Sequence, residues 1–131
     1  MSTISTQYGQ WIGQYDWSHI VTIRRHFKLS EIYAQGLCQN IVKKSKDVSR
    51  LFYSLENDRQ DNMNHLHLLI EANDTKLSRS KLAHLAGFGN NPKAISSLQD
   101  VESKEAVAMY VTKYIGKPDV YHGFEDQRFY E

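Results

Sequence analysis

Two short segments carry residues whose types and spacing suit chemistry. His65-Leu66-His67 places two imidazoles two positions apart inside the apolar run 64–71. Alternation along a strand sends residues i and i+2 to one face. His65, His67 and Leu69 therefore share one side, while Leu66, Leu68 and Ile70 share the other and enter the core. Imidazoles about 6–7 Å apart along a strand can converge on one ion. In the run before it, Phe52, Ser54 and Glu56 alternate against Leu51, Tyr53 and Leu55, so a hairpin would bring Glu56 across from the histidines. Two nitrogens and a carboxylate leave positions open for water or phosphate oxygens, which suits Mn²⁺ or Mg²⁺ used as a Lewis acid. Glu71, Asp58 and Asp61 compete for the third place. The same donor set serves non-haem iron oxygenases, and a His-x-His pair on a strand is also commonly just exposed or hydrogen-bonded.

The second segment is Tyr110-Val111-Thr112-Lys113-Tyr114-Ile115-Gly116-Lys117. At about 100° per residue, Tyr110, Lys113, Tyr114 and Lys117 fall within roughly 100° of one another on a helix. Val107, Ala108, Val111 and Ile115 form a separate apolar stripe for a sheet. A phenol with a pKa near 10 is a poor nucleophile while protonated. A lysine one turn away favours the phenolate and neutralises charge developing on a phosphate. Tyr110 has Lys113 at that spacing and Tyr114 has Lys117. Tyr110 is the preferred nucleophile, because Lys117 follows Gly116 and precedes Pro118, where helical geometry fails. The bland counterpart is an amphipathic border with snorkelling lysines.

The elements that must position these residues follow from periodicity. Residues 17–27 read as a first strand and 30–44 as a helix opened by Ser30. Residues 50–56 and 64–71 read as a hairpin, 77–86 as a short helix stopped by Gly87 and Gly89, 94–101 as an edge strand, and 103–116 as the last helix. Strands, interleaved helices and a central hairpin predict an α+β sandwich with one antiparallel sheet, of the ferredoxin-like or RRM-like kind. The aromatic tail 119–131 is left to pack down or meet a partner.

The chain of 131 residues is expected to form a single domain, 1–131, with no repeat or linker. One cysteine, Cys38, excludes a disulfide framework and suits a reducing, cytoplasmic setting. The start of the chain has neither the basic residues nor the apolar stretch of a signal peptide, and no run reaches a membrane span, so no membrane partner is expected. Net charge is only +1, but cations cluster at Arg24 to Lys28, Lys43 to Lys46, Lys76 to Lys81 and Lys113 to Lys117, against an acidic tail. Arg24, Arg25 and Lys28, with no carboxylate near in sequence before Glu31, are candidate phosphate contacts.

In this order and spacing, the residues resemble the HUH endonuclease superfamily, and within it the rolling-circle replication initiators of small viruses, phages and plasmids. His65-Leu66-His67 resembles the His-hydrophobic-His motif and Tyr110 to Lys113 the Tyr-x-x-Lys motif. Residues 21–25 resemble a first, DNA-proximal motif, and Glu56 the acidic third metal ligand. The resemblance spans roughly 17–117. It implies metal-dependent nicking and joining of single-stranded DNA at a replication origin, through a 5′-phosphotyrosine and a free 3′-hydroxyl. Tyr110 and Tyr114 together resemble initiators that alternate two tyrosines. A helicase and a polymerase of host or virus are implied partners, since no residues are left here for a helicase domain; a homodimer is compatible. Rival expectations are a single-tyrosine HUH transposase, a metal-dependent phosphodiesterase without a covalent step, and a non-catalytic nucleic-acid-binding module. The last would need exposed sheet aromatics, for which Phe52 qualifies.

Overall fold

The computed structural model describes residues 3–58, 61–73 and 77–131. Lys76, part of one expected cationic cluster, lies outside them. The chain runs α1 (Thr3–Ile12), β1 (His19–Ile23), α2 (Glu31–Lys44), β2 (Val48–Asn57), β3 (Asn64–Ala72), α3 (Arg79–Leu85), β4 (Ser97–Asp100), α4 (Lys104–Thr112) and β5 (Tyr121–Asp126). The strands form one open antiparallel sheet in the order β4-β1-β3-β2-β5. The fold is α+β, and its β4-β1-β3-β2 part has the strand order of a ferredoxin-like sandwich. Among the described residues no helix is long and apolar enough to cross a membrane.

Helices cover both faces of the sheet. On one, Val21, Leu51, Leu55, Leu66, Leu68 and Ile70 bury against Leu37, Ile41 and Val42 of α2 and Leu82 of α3. On the other, Phe52 and Leu69 bury against Ile12 of α1 and Ala108, Val111 and Ile115 on and just after α4. Each such side chain contributes roughly 1.5–3 kcal/mol through burial. Ser30 caps α2 by accepting from Tyr33 N–H, and Ser103 caps α4 by accepting from Ala106 N–H, which satisfies donors the helix cannot.

The structure corrects several expectations. Strand β1 is shorter than 17–27 and stops at Ile23. The last helix ends at Thr112, and a turn carries the chain to Gly116, whose φ of +99° ends any helical continuation. The tail, for which packing down was one of two courses left open, does pack down: Tyr121–Asp126 pairs with β2, and the Tyr130 hydroxyl donates to Glu125. Its acidic character is partly internal, since Glu125 and Asp126 are buried and Arg50 and Arg128 pair with Asp126. Phe52, expected as an exposed stacking ring, is fully buried.

Helix α1 lies across α4 at close range. A Cβ on Gly9 would meet Met109 Sδ at 2.5 Å and Thr112 Oγ1 at 3.1 Å. The missing side chain lets the two backbones approach, and that approach seats α4 over the sheet.

Candidate metal and nucleophile site

Register places the two histidines and Glu56 together. Glu56 pairs with His65 and Ser54 with His67 across the β2–β3 hairpin, and Thr22 of β1 flanks His67 on the other side. Direct partners in an antiparallel sheet share a face. That face is the one α4 covers, so the histidines lie beside the apolar patch of Phe52 and Leu69.

One atom from each of Glu56, His65 and His67 lies within 4.8 Å of the others. Glu56 Oε1 is 3.5 Å from His65 Nε2 and 3.8 Å from His67 Nε2. Each of the three side chains is held by its other polar atom. His65 Nδ1 bonds Asp58 Oδ1 at 2.5 Å, His67 Nδ1 bonds the Thr22 hydroxyl at 3.1 Å, and Ser54 Oγ donates to Glu56 Oε2 at 3.0 Å. Both Nε2 atoms and Oε1 are thereby turned to one point. Carboxylate–imidazole pairs of this kind fix ring orientation and raise ligand basicity. The donor chemistry fits a divalent cation: two neutral-capable imidazoles and an oxygen anion, with an open side toward solvent. Asp58, a rival for third ligand, supports His65 instead. Glu71 is far along the strand and pairs with Arg50, and Asp61 accepts from Met63 N–H.

Electrostatics separate the two imidazoles. Hydrogen bonding to Glu56 raises the His65 pKa; burial opposes the rise and Asp58 assists it. Burial pulls His67 down to about 4 against the attraction of Glu56, with His65, Lys113 and Arg24 adding to the fall. His67 is therefore a neutral imidazole at neutral pH, as a metal ligand must be. Burial would raise the Asp58 carboxyl, but hydrogen bonds from Arg24 and His65 outweigh it and hold it low.

The tyrosines arrive because α4 buries Ala108 and Val111, which leaves Tyr110 on the side toward His67. Their ring centroids are 5.4 Å apart, and Tyr110 remains 47% exposed. A cleft of about 350 Å³ is lined by His65, His67, Glu56, Tyr110, Lys113 and Tyr114, among others. Lys113 Nζ stands 4.2 Å from the Tyr110 ring centroid and 5.0 Å from that of Tyr114; Lys117 Nζ is 5.3 Å from the Tyr114 ring. Both expected Tyr–Lys pairs are therefore present, and Lys113 also stands over the second ring.

The expected phosphate contacts divide. Arg24 lines the cleft and pairs with Asp58 at 2.6 Å, so it does have a carboxylate partner, supplied by the distant hairpin. Arg25 points elsewhere, its guanidinium 4.4 Å from the Phe88 ring, and Lys28 is exposed outside the cleft. Thr22 and Ser54 were not singled out from the sequence. Thr22 acts across a separation of 45 residues, for which a single chain carries no local signal, whereas Ser54 bonds Glu56 two positions along the same strand. No protein-family model, curated protein or solved structure matches this chain.

Proposed function

We propose that this protein is a metal-dependent nuclease of the HUH kind that nicks single-stranded DNA and keeps the 5′ end on Tyr110. The observation that carries the reading is the meeting, in one cleft, of three mutually anchored ligand side chains and a tyrosine 5.4 Å from one of them. A divalent cation, Mn²⁺ or Mg²⁺, would be held by Glu56, His65 and His67 and would supply Lewis-acid polarisation of the scissile phosphate. The chain's own residues do the rest. The Tyr110 phenol gives up its proton to solvent and its oxygen attacks phosphorus. The bond from phosphorus to the 3′ oxygen breaks, and that oxygen takes a proton from solvent to become a 3′-hydroxyl. Lys113 neutralises charge on the phenolate and the phosphate. Tyr114, in the same cleft, is placed for a second transfer, and rejoining is the first step reversed.

In this reading the 3′-hydroxyl primes rolling-circle replication at an origin, with a helicase and a polymerase from host or virus. The test is incubation with a pool of single-stranded oligonucleotides and Mn²⁺, followed by denaturing gels. An SDS-resistant adduct that requires metal, Tyr110 and both histidines supports the proposal. Cleavage without an adduct would replace it with a hydrolytic phosphodiesterase.

A further inference from the structure

The loop 24–30 joins β1 to α2, and the cleft does not explain how it is built. Both its ends are tied to the residues that flank the histidines. Arg24 bonds Asp58, while the Asn64 side chain accepts from Leu29 N–H and donates to Leu29 C=O, both at 2.8 Å. Asn64 immediately precedes His65. The loop is therefore pinned across the hairpin end of the sheet, with Arg24 at the cleft and Leu29 on the face covered by α2.

The loop and the first turn of α2 turn rings and cations outward. Phe27 and Tyr33 are each 38% exposed and pack edge to face at 5.5 Å; His26 meets Phe27 in the same manner at 5.0 Å. Arg25 lies between Phe88, at 4.4 Å, and Phe27, at 5.8 Å, with Lys28 exposed beside them. A buried core would not need these rings, which leave much of their faces to water. Rings interleaved with cations are the composition that binds single strands: bases stack on the rings and phosphates meet the cations.

We propose that Phe27 and Tyr33, with Arg25 and Lys28, form a base-stacking rim that holds single-stranded DNA where it leaves the Tyr110 cleft, past Arg24, round the hairpin end of the sheet. The inference rests on the nuclease reading for its ligand and adds the surface that grips the strand outside the scissile phosphate. The rings carry sequence-tolerant affinity, whereas Lys28 contributes a salt-dependent share. Arg24 joins the two regions, since it lines the cleft and anchors the loop.

The test is fluorescence anisotropy of a labelled single-stranded oligonucleotide with the full chain, across a range of salt, alongside metal-dependent adduct formation. Phe27→Leu and Tyr33→Leu are each expected to weaken binding about ten-fold with an unchanged salt slope. Lys28→Gln should lower the slope by about one. Phe27→Trp should retain affinity and show quenching of the new indole as a base stacks on it. Wild-type affinity in both leucine variants, even with a lower melting temperature, overturns the rim and gives these rings a purely structural role at the start of α2. That result would leave the nuclease reading standing. Binding that depends on Phe27 but never yields an adduct supports the rim and sinks the covalent chemistry; no binding by the wild type overturns both.

Discussion

Two neighbouring rows of residues cross the same face of the sheet and have opposite characters. One reads Ile20, Leu69, Phe52 and Phe124; the next, two residues along every strand, reads Thr22, His67, Ser54 and His122. Both Phe52 and Ser54 are fully buried, and His67 is nearly so. The first row closes under Ile12, Val111 and Ile115 and gains stability from burial. The second places polar atoms where burial is unfavourable unless every one is partnered. Its partners are present, yet they leave His67 Nε2 directed at the same point as His65 Nε2 and Glu56 Oε1, which form the next cross-strand pair. A row built only for stability would have used apolar side chains here. The contrast teaches that this face is divided into a packed half, which positions α4, and a half whose polar groups could hold a metal ion.

Substitutions should separate the halves. The largest effect is expected from His65→Ala combined with His67→Ala, which removes two of three ligands and should abolish Mn²⁺ binding in calorimetry as well as nicking. Its cost in stability should be only about 1 kcal/mol. Phe52→Ala should do the reverse: about 3–5 kcal/mol lost in urea unfolding, with Mn²⁺ affinity kept by the molecules that remain folded. Equal stability losses in the two variants would erase the distinction between the rows.

A smaller change is expected from the anchors. Asp58→Asn and Thr22→Val should each weaken metal binding by about 10–100-fold without changing its stoichiometry. Unaltered affinity in both would mean that the ligands need no orientation from behind.

The smallest effect is on pH dependence of the metal-free protein. His67 has a folded pKa of about 4, below the 6.5 of the unfolded chain. Between those values the unfolded state binds more protons, so stability should fall as pH drops from 6.5 toward 4. Urea midpoints measured in chelator should show this slope in the wild type and lose part of it in His67→Gln. An identical slope in the variant would contradict the burial of a neutral imidazole.

Much of the site was legible because its spacing is local. Strict alternation in 51–56 and 65–70 sets the hairpin register, and register puts Glu56 opposite His65. Ser30 and Ser103 precede helices they cap. What escaped was non-local or masked by unusual residues. In α1, Ile4, Tyr8, Trp11 and Ile12 have helical spacing, but serine, threonine, glutamine and Gly9 weaken the signal; the glycine is there for the approach of α4. In β5, alternation is broken at Gly123, where a Cβ would strike the Tyr53 ring, and by the buried Glu125 and Asp126. Asp58 and Arg24 were each marked, as a rival ligand and a phosphate contact, but their pairing shows only after the hairpin brings them together.

The central claim is that Tyr110, placed over the ligand cluster by α4, is the atom donor that becomes bonded to DNA. Trypsin tests it directly, because cleavage after Lys104 and Lys113 releases residues 105–113 with Tyr110 as their only tyrosine, while Tyr114 falls in the following peptide. The adduct formed with single-stranded DNA and Mn²⁺ should be digested with nuclease and trypsin and then weighed by mass spectrometry. The account predicts nucleotide mass on 105–113. Nucleotide found solely on the peptide that begins at Tyr114, or on no tyrosine while metal is bound and DNA is cut, would contradict it.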